Sequence, residues 1–211
     1  MKIKLVLFDF YKTLGYPVFK IEPREFFSFY KKIGIDLKTE KDFKSFTTTF
    51  TELTGYATSW LDLSKKLLEK FLKNPTQEKI KALADFYKEN IVYQLYDDVK
   101  EIINLPYQKA ILSANARFVI ENLGLEKFAK IFTPRETKFL KPDPRAFLVV
   151  LKTLKVEPKE TLMVGDELER DLIPAKKLGM TAVLIDRENK VENPPVKKIS
   201  SLIELKQILS F

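Results

Sequence analysis

The sequence has 211 residues, of which 45% are apolar and 31% are charged, and its formal net charge at pH 7 is +8. This length suits one large domain or a core with one sizeable insertion. No apolar run approaches the ~18 residues that a membrane span needs. The apolar opening run meets Asp9 too early for a signal peptide, so we expect a cytoplasmic protein without membrane contact.

Cysteine and histidine are both missing from the sequence. Their absence excludes disulfide scaffolds, cysteine-ligated zinc, cysteine nucleophiles and histidine-dependent triads. The remaining reactive groups are carboxylates, amines, guanidinium groups and hydroxyls, which favour Mg²⁺ over zinc or copper. The 37 basic residues are scattered, without a dense block that interleaves with aromatic residues, so we expect no nucleic-acid partner.

The first predicted element is a strand. Residues 3–8 form an almost unbroken apolar run that ends at Asp9. Such a run is typical of a buried parallel strand that delivers a polar group at its carboxyl end.

Residues 20–95 contain no convincing strand and four helical stretches, predicted over 23–33, 39–54, 59–73 and 76–92. Aromatic residues recur at helical spacings in this block, which indicates a packed bundle in which a few side chains face a substrate. We therefore predict an inserted all-helical cap over 16–95 that sits over the sheet edge, and a core over 1–15 and 96–211.

Strands and helices alternate in the rest of the chain. The predicted strands cover 109–113, 130–132, 162–165 and 182–186, and the predicted helices cover 97–104, 116–123, 144–154 and 168–178. A polar loop over 186–195 leads to a last helix over about 200–209. This alternation predicts an α/β fold with a parallel sheet.

Where the carboxyl ends of parallel strands converge, chemically active side chains follow or precede three of the predicted strands, in four segments. They lie in the segments 9–13, 113–115, 141–144 and 165–171. Each segment alone has an ordinary explanation, such as a helix cap or a surface lysine. If Asp9, Asp166 and Asp171 gather within ~4 Å, however, each like-charged pair costs several kcal/mol, and Mg²⁺ or the inserted ammonium group of Lys141 must compensate.

In this order and spacing, the segments resemble the four motifs of the haloacid dehalogenase superfamily of hydrolases. Asp9 with Thr13 matches the first motif, Ser113 the second, Lys141–Pro144 the third, and Gly165-Asp166 with Asp171 the fourth. The resemblance covers essentially the whole core, and it covers the cap by position and helicity only. It implies a Rossmann-like core with a mobile helical cap that closes the active site.

The resemblance also implies a role for each site residue. Asp9 would be the nucleophile of a catalytic set completed by Tyr11, Thr13, Ser113 and Lys141. Ser113, Asn115 and Lys141 would bind the substrate. Mg²⁺ would be held by Asp9, the carbonyl oxygen of Tyr11 and Asp166, with Asp171 supporting that shell directly or through water. The expected substrate is a small anion, and the sequence leaves its identity and the oligomeric state open.

Tyr11 departs from the phosphatase pattern, in which a second Asp protonates the leaving alkoxide and activates water. A phenol is a poor base at neutral pH, and loss of acid/base catalysis costs ~10²–10⁴ in rate. Tyr at this position is similar to the 2-haloacid dehalogenase branch, which needs neither a leaving-group acid nor a metal. The acidic fourth motif instead resembles the Mg²⁺-dependent phosphatases, which we favour. The alternatives are a metal-independent 2-haloacid dehalogenase, with Arg24, Phe26, Phe27 and Tyr30 forming a halide and carboxylate pocket, and a module that binds phosphate ligands with little turnover.

Overall fold

A computed structural model describes residues 2–209 of the chain. It contains eight strands in the described residues: β1 (Leu5–Phe8), β2 (Gly15–Phe19), β3 (Ile91–Leu95), β4 (Gln108–Leu112), β5 (Lys130–Phe132), β6 (Thr161–Gly165), β7 (Thr181–Ile185) and β8 (Lys197–Ile199). The helices are α1 (Pro23–Ile33), α2 (Glu40–Thr54), α3 (Trp60–Phe71), α4 (Gln77–Asn90), α5 (Lys100–Ile103), α6 (Arg117–Glu121), α7 (Pro134–Thr137), α8 (Pro144–Leu154), α9 (Ile173–Lys177) and α10 (Leu205–Leu209).

Six strands form one sheet in the order β5-β4-β1-β6-β7-β8, and every neighbouring pair in it is parallel. The predicted α/β fold with a parallel sheet is confirmed. The central strand β1 is buried throughout because its side chains alternate between two apolar cores, one on each face of the sheet. Val6 and Phe8 enter one core, and Leu5 and Leu7 enter the other.

The helices α1–α4, called here the helical block, have an apolar core of their own. Tyr30, Phe46, Leu67 and Tyr87 are buried there and come from four different helices. The hydroxyl of Thr39 accepts the backbone N–H of Asp42 and so caps α2, and Ser59 and Thr76 cap the next two helices in the same way. The prediction of four consecutive helices here is correct to within two residues at each end.

An antiparallel pair of strands joins the helical block to the large sheet, and the sequence analysis missed it. β2 and β3 pair over their whole length, from Gly15 opposite Leu95 to Phe19 opposite Ile91. The predicted fourth helix, 76–92, is therefore wrong at its end, because the chain leaves the helix at Asn90 and extends at once into β3. The expectation of no strand within 20–95 is wrong for the same reason.

Two further details differ from the prediction. β8 adds a sixth strand to the sheet beyond the predicted loop, although it is only three residues long. The predicted helix over 168–178 begins as one π-helical turn, Leu168–Leu172, before continuing as α9. Among residues 2–209, no helix combines the length and apolar character required to traverse a bilayer.

Candidate active site

The sheet delivers Asp9 to its carboxyl-terminal edge. The residue follows β1 directly, and its backbone N–H donates to the carbonyl oxygen of Val164 on β6 at 2.9 Å. Its side chain is buried, with the residue only 7% exposed. The neighbouring strand β6 ends at Gly165, so Asp166 leaves the sheet at the same edge.

Lys141 lies between two of the carboxylates. Its Nζ donates to Asp9 Oδ1 at 2.5 Å and to Asp171 Oδ1 at 2.6 Å. Burial disfavours the ammonium group, but the charges of Asp171 and Asp9 outweigh that effect and raise the pKa of Lys141 above its ordinary value. Lys141 therefore carries a fixed positive charge at the centre of the site.

Asp171 occupies space that only a glycine at position 165 leaves free. A Cβ on Gly165 would lie 2.5 Å from Asp171 Oδ2 and 2.7 Å from its Cβ. Asp171 Oδ2 also accepts the backbone N–H of Glu167 at 3.2 Å, which fixes the carboxylate. The glycine of the fourth motif is thus explained by packing, since Gly165 makes room for Asp171, the side chain that holds Lys141.

The three acids form one cluster. Asp9, Asp166 and Asp171 each offer a carboxylate oxygen, and these oxygens lie within 4.8 Å of one another. Burial raises the pKa of Asp166 to about 7, and the charges of Asp9 and Asp171 add to the rise. Burial likewise raises the pKa of Asp9 to about 6, although Lys141 opposes it. When all three are ionised, the carboxylates beside one ammonium group leave an excess of two negative charges, and hard oxygen donors with this excess fit Mg²⁺.

The other predicted site residues differ in burial and in their hydrogen-bond partners. Ser113 is buried, and its Oγ accepts the backbone N–H of Asn115 at 3.0 Å. The Asn115 side-chain amide donates to the hydroxyl of Tyr93 at 3.3 Å. Tyr11 is 38% exposed and lines the cavity described below. Thr13 is fully buried, its Oγ1 has no hydrogen-bond partner among the described residues, and it does not line that cavity.

A cavity of about 610 Å³ opens at the cluster and runs toward the helical block. Asp9, Lys141 and Asp171 form part of its floor, together with Asn115 and Tyr11. About half of its remaining lining residues are aromatic, and these come from β2, β3, α1, α2 and α4. Of the residues predicted for a halide and carboxylate pocket, Phe26, Phe27 and Tyr30 line this cavity, whereas Arg24 does not.

Sequence reasoning missed the side chain that secures the loop after Asp9. Arg187 donates through Nε to the carbonyl oxygen of Lys12 at 3.3 Å and through Nη2 to that of Thr13 at 2.8 Å. Its guanidinium group also pairs with both carboxylate oxygens of Asp98, and it stacks over the ring of Tyr96. The only sequence signal was a lone arginine directly after a strand-end acid, which has no distinctive spacing.

Comparisons with known proteins agree with this architecture. A family model for haloacid dehalogenase-like hydrolases matches residues 3–179. A phosphoserine phosphatase from Thermus thermophilus is 27% identical over 141 residues, which cover 62% of this chain and 57% of that protein. The chain spans about half the length of the curated relatives that it matches.

Solved structures match over nearly the whole chain. A haloacid dehalogenase-type phosphatase from Thermococcus onnurineus has a TM-score of 0.66 at 25% identity, covering 99% of this chain and 98% of that one. A 2-haloacid dehalogenase from Pseudomonas syringae also has a TM-score of 0.66, at 21% identity and with the same coverage, and shows the shared fold. From its sequence match, its parallel sheet and its strand-end acids, the chain belongs to the haloacid dehalogenase-like hydrolase family.

Proposed function

We propose that this protein is a Mg²⁺-dependent phosphatase that hydrolyses a phosphomonoester through an aspartyl-phosphate on Asp9. The observation that carries the proposal is the acid cluster, in which three carboxylates within 4.8 Å face the single ammonium group of Lys141. A dehalogenase needs no divalent cation, whereas this excess of negative charge calls for one. Relatives named as phosphatases, including the phosphoserine phosphatase above, support the same reaction class.

In the first step, a carboxylate oxygen of Asp9 attacks phosphorus, and the bond between phosphorus and the ester oxygen breaks. The leaving alkoxide takes a proton either from water or from the hydroxyl of Tyr11, which then regains a proton from solvent. In the second step, water attacks phosphorus and loses a proton to solvent, the bond to the Asp9 oxygen breaks, and inorganic phosphate leaves. Asp9 is then a free carboxylate again.

The surrounding residues support these steps. The ammonium group of Lys141 separates Asp9 from Asp171 and offers positive charge to the phosphoryl oxygens. Ser113 and Asn115 lie at the end of β4 and hold the transferred group. Asp9, Asp166 and the carbonyl oxygen of Tyr11 would hold Mg²⁺, with Asp171 supporting them. The bound ion supplies positive charge against the phosphate.

The helical block lies over this edge of the sheet, and the cavity is bounded by both parts. We propose that residues 16–95 act as a cap that covers the substrate and excludes water during the first step.

The direct test measures phosphate release from p-nitrophenyl phosphate with Mg²⁺ and with EDTA. The proposal expects release that EDTA abolishes and that falls by more than ~10³-fold in Asp9→Asn. Asp186→Asn is the matched control. Asp186 also follows a strand, β7, and its carboxylate accepts the backbone N–H groups of Lys190 and Val191. Because it lies outside the acid cluster, its substitution should leave activity intact. Equal rates in Mg²⁺ and EDTA, or an active Asp9→Asn, would refute the proposal.

A 2-haloacid dehalogenase is the second candidate, because Tyr11 occupies the position of the acid/base carboxylate. In that reaction Asp9 displaces a halide, which leaves without a proton, and water cleaves the resulting ester. Chloride release from 2-chloropropionate in EDTA, with no phosphate release in Mg²⁺, would favour this candidate.

A further inference from the structure

The cavity at Asp9 changes character along its length. Its charged lining residues, Asp9, Lys141, Glu167, Arg170 and Asp171, all belong to the core. The lining residues contributed by segments 17–54 and 87–93 include no charged side chain, and most of them are aromatic or aliphatic. A ligand that fills the cavity therefore meets charge at one end and apolar surface at the other.

The few polar groups in the apolar part already have partners. The hydroxyl of Thr47 donates to carbonyl oxygens of its own helix, and those of Thr51 and Thr54 do the same one and two turns later. The hydroxyl of Tyr93 accepts from the side-chain amide of Asn115, and the hydroxyl of Tyr87 donates to that of Tyr30. Burial raises the pKa of Tyr30 to about 12, so this pair stays neutral at physiological pH. This part of the cavity lining therefore provides few hydrogen-bond or ion-pair partners for the ammonium, carboxylate or hydroxyl groups of a polar substrate.

Several of these aromatic side chains are incompletely covered by the protein. Phe19, Phe27 and Phe43 all line the cavity and are 55%, 40% and 45% exposed. Phe27 and Phe43 are in contact, with ring centroids 5.6 Å apart, and Phe19 packs on Phe26 at the same separation. An aromatic surface that is continuous with a reactive site and exposed to water gains free energy when an apolar group covers it.

We propose that the substrate is a phosphomonoester of a bulky apolar alcohol, whose phosphate binds at Asp9 and Lys141 and whose hydrocarbon part fills the aromatic section of the cavity. This inference rests on the phosphatase function proposed above and specifies its substrate class. A cavity of about 610 Å³ is within the range that encloses drug-sized ligands and is much larger than a three-carbon phosphate needs.

Hydrolysis of n-alkyl phosphates from ethyl to octyl, below their micelle-forming concentrations, tests the proposal. The leaving alcohols have similar chemistry, so differences in kcat/KM report contact with the hydrocarbon. We expect kcat/KM to rise about two- to four-fold per methylene, the upper value corresponding to ~0.8 kcal/mol per buried CH₂. Octyl phosphate should then exceed ethyl phosphate by at least ~50-fold, and phosphoserine should be poorer than butyl phosphate.

Two threonines on α2 provide a matched pair of variants. Thr47 lines the cavity and is half-buried, whereas Thr48 is exposed and does not line it. Thr47→Glu places a carboxylate against the hydrocarbon and should lower the octyl-to-ethyl ratio of kcat/KM at least ~5-fold. Thr48→Glu adds the same charge to the same helix and should leave the ratio unchanged. Because each ratio is measured within one protein, partial unfolding of a variant does not alter it.

The outcomes separate this inference from the phosphatase proposal. A flat ratio across the series, or equal effects of the two variants, overturns the inference while phosphate release upholds the phosphatase. Absence of phosphate release from every ester overturns both. Binding of n-alkyl phosphonates, which resist this hydrolysis, gives a readout independent of turnover, and calorimetry should show the dissociation constant falling with chain length. A dissociation constant that does not change with chain length contradicts the inference.

Discussion

Replacing Lys141 by Met tests the electrostatic design of the site. The substitution keeps an unbranched side chain of similar length but removes the charge between Asp9 and Asp171, both of which accept hydrogen bonds from it. All three groups are buried, with side chains 10% exposed or less. Breaking a buried ion pair by removing one partner typically costs 3–5 kcal/mol, because the remaining charge stays desolvated.

For a chain of this size, each kcal/mol lowers the melting temperature by about 2–4 °C. Lys141→Met should therefore melt about 6–20 °C below the parent protein in EDTA, measured by circular dichroism. The loss should be smaller at about pH 5 than at about pH 8, since burial raises the pKa of Asp9 and Asp9 takes up a proton as the pH falls. Phosphatase activity should be lost in the same variant.

The double variant Lys141→Met/Asp171→Asn separates charge from packing. Removing one of the unpaired carboxylates should recover part of the lost stability, with a coupling energy of about 0.5–3 kcal/mol, although activity should stay absent. A melting temperature for Lys141→Met within about 2 °C of the parent would refute the reasoning. The same holds if the double variant is as unstable as the sum of the two single variants.

Protons, packing and loop geometry give three further predictions. Because burial raises the pKa of Asp9 to about 6 and that of Asp166 to about 7, the metal-free cluster holds protons that Mg²⁺ must displace. The Mg²⁺ affinity measured by calorimetry should rise with pH to about 7 and level off above it. An affinity independent of pH contradicts this. The contribution of Asp9 and Asp166 to the free energy of unfolding should fall as the pH rises over about 4–7, because the folded protein binds their protons more tightly than the unfolded chain does. Gly165→Ala places a Cβ 2.5 Å from Asp171 Oδ2. This clash should lower the melting temperature by about 2–12 °C and reduce kcat. A fully active variant with the parent's melting temperature would contradict this prediction and show that Asp171 has room to move. Arg187→Lys removes the planar group that reaches two carbonyl oxygens of the loop after β1. We expect kcat to fall about ten-fold with a smaller change in KM. An unchanged kcat would show that Arg187 does not position this loop for catalysis.

Five of the six strands of the parallel sheet were predictable from the sequence, because short apolar runs with polar ends are a strong local signal. β1 lies within the predicted run 3–8, and its four residues are completely buried. The same rule places Asp9 and Asp166 after neighbouring strands, so their proximity follows from strand order. The position of Lys141 has no comparable local signal, and its assignment depended on family resemblance as well as on the charge of the acids.

The antiparallel pair β2–β3 and the arginine contact depend on partners that are far apart in sequence. β2 contains Pro17, which weakens a strand prediction, and it pairs with a segment more than 70 residues later, opposite Tyr93. Arg187 meets Asp98 across a separation of 89 residues. Neither pairing leaves a periodic pattern in the chain. Residues of β2 and β3 line the cavity, so the aromatic walls of the site were not predictable in detail.

Trapping of a phosphorylated Asp9 tests the central claim most directly. Acid quenching during turnover of a phosphomonoester with Mg²⁺, followed by peptide mass spectrometry, should show a phosphoryl group on the peptide that contains Asp9. The label should disappear when EDTA is present and in Asp9→Asn, and it should persist in Asp186→Asn. Steady phosphate release without any label on Asp9, or a label on another residue, would contradict the assignment of Asp9 as the nucleophile.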